Sequence, residues 1–132
     1  MNKQNDVAAL IGRILLAVVF VPSGYSTLGG FEGTVEFIRS TGVPLPEVAA
    51  AIKIAIELGG GLMVLFGWKT RWAALALIVF LIVITPVFHA FWSAPEAAKM
   101  AQQLNFIKNV GILGGFFLLL AFGPGKLSVD RQ

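Results

Sequence analysis

The chain has 132 residues, 57% of them hydrophobic and 13% charged, with a formal net charge of +3 and no cysteine. A soluble domain carries about 25% charged residues, so this composition argues against a water-facing surface. The missing cysteines exclude disulfides, iron–sulfur clusters and thiolate chemistry within the chain, and the dispersed basic residues exclude a nucleic-acid-binding stripe.

Four apolar runs follow one another, at about 7–26, 46–66, 72–91 and 105–122. Each approaches the ~20 residues that a helix needs to cross ~30 Å of hydrocarbon. None alternates apolar with polar residues as barrel strands do. The sequence therefore predicts an all-α integral membrane four-helix bundle, a single domain over 1–132. A cleaved signal peptide is the competing reading of the first run, and Arg13 inside the run argues against it.

Orientation follows from the basic residues at the helix ends. Lys3, Arg13, Lys69, Arg71, Lys126 and Arg131 gather on one side, against Arg39 and Lys99 on the other. The positive-inside rule then gives cytoplasmic N- and C-termini in a bacterial inner membrane. Trp68 and Trp72 would flank the inner interface and Trp92 the outer one.

The connections carry further signals. Between the first two runs, Phe31, Val35 and Ile38 recur at helical spacing, which predicts a short amphipathic helix on the membrane surface. Ser93-Ala94-Pro95-Glu96 has capping-box spacing and predicts a helix starting at Ser93 and running into the fourth span. A Lys followed five residues later by Leu-Gly-Gly occurs at Lys53 and again at Lys108, suggesting two repeated helical hairpins. Small residues at Gly111 and Gly115, and at Ala51, Ala55 and Gly59, predict close helix packing.

The polar residues inside these runs gather in the outer half. At 1.5 Å per residue from Pro46, Lys53 lies roughly 10 Å and Glu57 roughly 16 Å below the outer surface. These two stand at i and i+4 on one face, continued by Gly60 and Val64. Thr85, His89 and Trp92 would share a face of the third helix. Gln102, Asn105, Lys108 and Asn109 descend along the fourth, and Ser23, Tyr25 and Ser26 close the first. One reading is structural, a charged pair that pins the bundle together, with Lys108 snorkelling outward. The other is a polar pocket between helices, with Glu57 at its floor, His89 and Asn109 on its wall and Gly59-Gly60-Gly61 admitting a flat ligand. A lone histidine cannot supply paired haem ligation, and no metal-spaced cluster is present.

Several ordered motifs resemble the DoxX family of small bacterial membrane proteins. They are Gly12-Arg13-Ile14-Leu15-Leu16, Ile56-Glu57-Leu58-Gly59-Gly60-Gly61, Thr70-Arg71-Trp72, Phe88-His89-Ala90-Phe91-Trp92, and the stretch from Phe106 to Gly115. The resemblance implies an inner-membrane subunit linked to quinone or thiol redox chemistry, with Arg13, Glu57, His89, Lys108 and Asn109 as its site residues. Lys53 and Tyr25 join them from the depth reading. No intrinsic cofactor is expected, and a quinone would be the borrowed one. A redox partner protein, soluble or membrane-bound, or a homo-oligomer would complete the system. Two other classes stay open: an oligomeric small-molecule transporter with Glu57 as the coupling carboxylate, and an assembly subunit of a membrane complex.

Overall fold

A computed structural model describes residues 2–131, and every regular element among them is helical. Helix α1 spans Lys3–Gly29, and the amphipathic α2 spans Phe31–Ser40. Helix α3, Pro46–Ile54, passes through a π-helical segment, Ala55–Gly60, into α4, Gly61–Phe66, forming one continuous rod. Helix α5 covers Thr70–Phe88, a 3-10 turn covers Phe91–Ser93, and α6 covers Glu96–Phe122. Four segments are long and apolar enough to cross a bilayer: Lys3–Gly29, Pro46–Phe66, Thr70–Ser93 and Glu96–Phe122.

Local chemistry sets these boundaries. The Asn2 side chain accepts the Asn5 N–H at 2.9 Å, capping α1, and Asp6 sits favourably in its first turn. Pro46 occupies the first turn of α3, where its missing N–H costs nothing. Gly67, at φ +70°, ends α4 in the left-handed conformation that glycine adopts without strain.

Two boundaries differ from expectation. Pro86 lies in the last turn of α5, and the helix ends at Phe88 with a final bond from His89 N–H to the Thr85 carbonyl. Trp92 therefore does not share a helical face with Thr85 and His89, because the chain has left the helix before reaching it. Ser93 does not cap α6: it lies in the 3-10 turn, its hydroxyl directed to the Ala90 carbonyl. Pro95 takes the N-cap position without a side-chain bond.

Packing follows a narrow seam. The buried residues of α1 are Asp6, Arg13, Ala17, Phe20, Gly24 and Thr27, at three-, four- and seven-residue steps, while Leu15 and Val18 on the far face stay more than 60% exposed. Such exposure of apolar side chains suits lipid rather than water. A Cβ on Gly24 would stand 2.7 Å from the Leu58 backbone nitrogen, and one on Gly61 would stand 2.9 Å from the Val21 side chain. These two glycines let α1 and the α3–α4 rod approach closely.

The expected small-residue contacts at Gly111 and along Ala51, Ala55 and Gly59 are absent. Ala51 and Ala55 are exposed, and Gly59 and Gly111 look onto open space. The π turn adds about one residue to the rod and so re-aims the following side chains, which uninterrupted helical counting does not capture. The Leu-Gly-Gly repeat does keep one equivalence. In each copy the first glycine is open and the second packs on a leucine, Gly60 on Leu77 and Gly115 on Leu16.

The end that carries both termini is closed by Arg13, which is 1% exposed. Its guanidinium donates to the carbonyls of Val64 and Leu65, in the last turn of α4, at 3.2 and 2.9 Å. It also donates to the tail carbonyls of Pro124, at 3.1 Å, and Leu127. Apart from Val64, whose carbonyl also accepts the Gly67 N–H, these acceptors lie at a helix end and in a loop, where carbonyls lack intrahelical partners. The tail then crosses this end of the bundle. Val129 N–H donates to Phe66 O, Asp130 N–H to Gly67 O, and Lys126 N–H to the Asp6 carboxylate. Asp130 in turn accepts the Lys69 N–H, the Thr70 N–H and the Thr70 hydroxyl, each at 2.8 Å, supplying the cap that α5 lacks. Burial alone would raise the Asp130 carboxyl, but the Thr70 and Lys69 bonds and the Arg13 charge outweigh it and hold it below its usual value.

The glycine contacts generate a packing test. Gly24→Ala should destabilise the fold by about 1–3 kcal/mol, as overpacking does. Gly59→Ala faces open space and should stay within about 0.5 kcal/mol of the parent. Thermal unfolding in one detergent compares them, and equal losses would refute the Gly24–Leu58 contact.

Candidate functional site

The polar residues of α1 and the α3–π–α4 rod meet on one level. Glu57 lies inside the π turn and is 4% exposed. Lys53, one turn earlier, places its Nζ 3.0 and 3.1 Å from the two Glu57 carboxylate oxygens. The same ammonium donates to the Thr27 hydroxyl at 2.9 Å and to the Ser23 hydroxyl at 3.2 Å, both on α1. Thr27 passes its own proton to the Ser23 carbonyl. All three N–H groups of Lys53 are therefore engaged, whereas a carboxylate has about four lone-pair positions and only two meet Lys53.

Above this pair opens a cavity of about 500 Å³. Two hydrogen-bonded sets line it, Glu57 with Lys53 and Ser23, and His89 with Gln102, and Asn105 lines it too. Aromatic and aliphatic side chains from α2 and α5 also line the cavity, among them Phe37, Ile38, Phe80 and Phe88. Helix α2 is held there by burial of Val35 and Ile38 against Ala50, by stacking of Phe37 on Phe88 at 5.8 Å, and by Arg39, which pairs with Glu36 and, at 2.9 Å, with Glu47 on α3. His89 sits just past the end of α5. Its Nδ1 lies 2.8 Å from the Gln102 Oε1, which can only accept, and in the tautomer that donates this bond Nε2 is an acceptor. Edge-on contacts among Phe91, Trp92 and Phe106 tie the turn after His89 to α6.

Of the residues singled out in the sequence, Lys53, Glu57 and His89 come together in this cavity. Asn109 does not join them. Its amide donates to the Thr85 hydroxyl at 3.1 Å and lines a separate crevice of about 230 Å³ between α5 and α6. Lys108 is exposed on α6, and Tyr25 is 71% exposed on α1, so both point away from the cavity. Arg13 lies at the opposite end of the bundle, engaged with the tail. The three consecutive glycines do not form the cavity wall, because Gly60 and Gly61 are packed against Leu77 and Val21. Gln102 and Asn105 were visible as polar residues at the right depth, but not as wall residues. Among the described residues no group of three His, Cys, Asp or Glu could hold a metal.

The DoxX family model matches residues 8–90, a stretch that includes Lys53, Glu57 and His89. The chain belongs to the DoxX family. It is 39% identical over 134 aligned positions to the inner membrane protein YqjF of Escherichia coli, covering 99% of this chain and 95% of the relative. It is 35% identical to the inner membrane protein YphA of the same organism, covering 96% and 90%. It is also 41% identical over 71 positions, about half of each chain, to a Bacillus subtilis protein described as putative oxidoreductase CatD. No solved structure matches. With four apolar spans and inner membrane relatives of nearly equal length, this DoxX protein is a membrane protein in contact with the bilayer.

The buried pair generates a second test. Glu57→Gln leaves the Lys53 charge without its carboxylate and should cost about 3 kcal/mol, within the range for breaking buried pairs. Lys53→Met combined with Glu57→Gln removes both charges and should recover most of that loss. Thermal unfolding of the single and double variants measures it, and a double variant no more stable than the single would contradict the pairing.

Proposed function

We propose that this DoxX protein binds a small neutral ring ligand of the quinone class in the cavity beneath α2, as a membrane subunit of a redox system. The observation that carries this reading is Glu57, a buried carboxylate held in a π turn at the cavity floor. A π turn inside an α-helix is often found at functional sites. A scaffold charge pair needs no adjoining cavity. This one adjoins a space within the ~300–1,000 Å³ range of small-molecule sites, with mostly apolar walls and polar groups at separate points. Lys53 neutralises Glu57, so the site favours an uncharged ligand.

In that role Ser23 and Glu57 bind one polar edge of the ring, and His89 with Gln102 binds another. Phe37, Phe80 and Phe88 exclude water from its faces. A bound quinone would supply the electron-carrying chemistry that a cysteine-free chain lacks. The chain's own part is to orient the ring and to hold or exchange protons at the Glu57 carboxylate and at His89 Nε2. Electrons would pass to or from a partner protein, a role in keeping with the description of the similar CatD as a putative oxidoreductase.

Binding of 1,4-naphthohydroquinone, whose hydroxyls can donate to Glu57, to the protein in nanodiscs, measured anaerobically by calorimetry against empty discs, tests the reading. The double variant at Lys53 and Glu57, folded and uncharged, should bind at least about tenfold more weakly, as when a charged hydrogen-bonding partner is lost. Unchanged binding would assign the pair to scaffolding.

We further propose that the Arg13 end is cytoplasmic and the α2 end faces outward, since Lys3, Arg13, Lys69, Arg71, Lys126 and Arg131 lie at the first. Cysteine at position 39 should react with an impermeant thiol reagent in intact cells and cysteine at position 69 should not. The reverse pattern would invert the topology.

A further inference from the structure

Resting on the ligand reading above, we infer that the cavity selects the reduced, hydroxyl-bearing form of its ring ligand over the oxidised, carbonyl-bearing form. The hydrogen-bonding groups at the two polar points are better matched to a hydroxyl than to a carbonyl.

At the floor, Lys53 has no N–H left to offer. Its three go to Ser23, Thr27 and Glu57. The Glu57 carboxylate retains unfilled lone pairs and can only accept. Ser23, whose oxygen already accepts from Lys53, has a hydroxyl proton to give. The floor thus presents a strong charged acceptor beside a weak neutral donor. At the second point the arrangement repeats. The His89 Nδ1–H is committed to Gln102, so its Nε2 is an acceptor, while the Gln102 and Asn105 amides carry N–H donors.

A ligand hydroxyl fits both points, because it donates and accepts through one atom. At the floor it gives its proton to Glu57 and accepts from Ser23. At the other point it gives its proton to His89 Nε2 and accepts from an amide N–H. A ligand carbonyl only accepts. It would satisfy Ser23 and an amide but press its own lone pairs against Glu57 and Nε2, leaving two acceptors desolvated without a proton. Unpaired buried groups are penalised more heavily than formed bonds are rewarded, most of all when charged. Sites that hydrogen-bond a substrate hydroxyl reject the analogue lacking it for this reason. Lys53 cannot rescue the carbonyl form without giving up Thr27, Ser23 or Glu57.

The test compares 1,4-naphthohydroquinone with 1,4-naphthoquinone, titrated anaerobically into the protein in nanodiscs and corrected for partitioning into empty discs. The hydroquinone should bind at least about tenfold more tightly. Two variants locate the cause. In Lys53→Met with Glu57→Gln, an amide N–H replaces the floor acceptor, so the preference should shrink or reverse while the quinone binds no worse relative to the hydroquinone. In His89→Phe, which leaves the floor intact, the preference should fall but persist. Equal or tighter quinone binding by the parent protein would overturn the selectivity and leave the ligand site standing. The same preference in both variants would also overturn it, since the acceptors would then not be its source. Binding of neither form above the empty discs would remove the ligand site and the selectivity together.

Discussion

An ionised side chain at the centre of a spanning helix costs about 2.5–3.5 kcal/mol on insertion scales unless the bundle supplies partners. Lys53 and Glu57 meet that constraint across two helices rather than within one. Lys53 reaches Thr27 and Ser23 on α1 only because Gly24, lying between them in sequence, allows α1 to close onto Leu58 of the rod. Backbone approach and charge satisfaction are thus one contact. The π turn places Glu57 at that contact, and the cavity is the space left where α2, α5 and α6 do not follow the same close packing.

The two ends of the bundle divide the work. At the end with the termini, Arg13 and Asp130 pair with backbone groups of α4, α5 and the tail. At the α2 end, α5 stops at Phe88, α6 begins only at Glu96, and α2 packs against α3 with Phe37 stacked on Phe88. That arrangement leaves side chains rather than backbone to line the interior. Rigid closure at one end therefore holds the helices in register while the other end keeps a cavity.

Much of this was legible from the residues alone. Apolar run length gave the four spans, and the spacing of Phe31, Val35 and Ile38 gave α2. Depth counting placed Lys53, Glu57 and His89 together in the outer half. Depth says nothing of azimuth, however, and the misassigned residues err in azimuth: Lys108 and Tyr25 turn outward, and Asn109 turns to Thr85. Helical counting also assumes 3.6 residues per turn throughout, so it could not foresee the π turn or the shift of close packing to Gly24 and Gly61. The role of Arg13 was hidden for another reason. Its partners are backbone carbonyls of Val64, Leu65, Pro124 and Leu127, far away in sequence, and carbonyls leave no residue-type signature.

The account turns on Glu57 meeting a ligand directly. Infrared difference spectroscopy of the protein in nanodiscs, recorded as naphthohydroquinone is added, reads carboxylate groups individually when paired with the Lys53→Met, Glu57→Gln variant. The account predicts a carboxylate band that shifts on ligand addition in the parent protein and is missing from the variant. A ligand that binds without disturbing any carboxylate, or that produces the same shift in the variant, would contradict it.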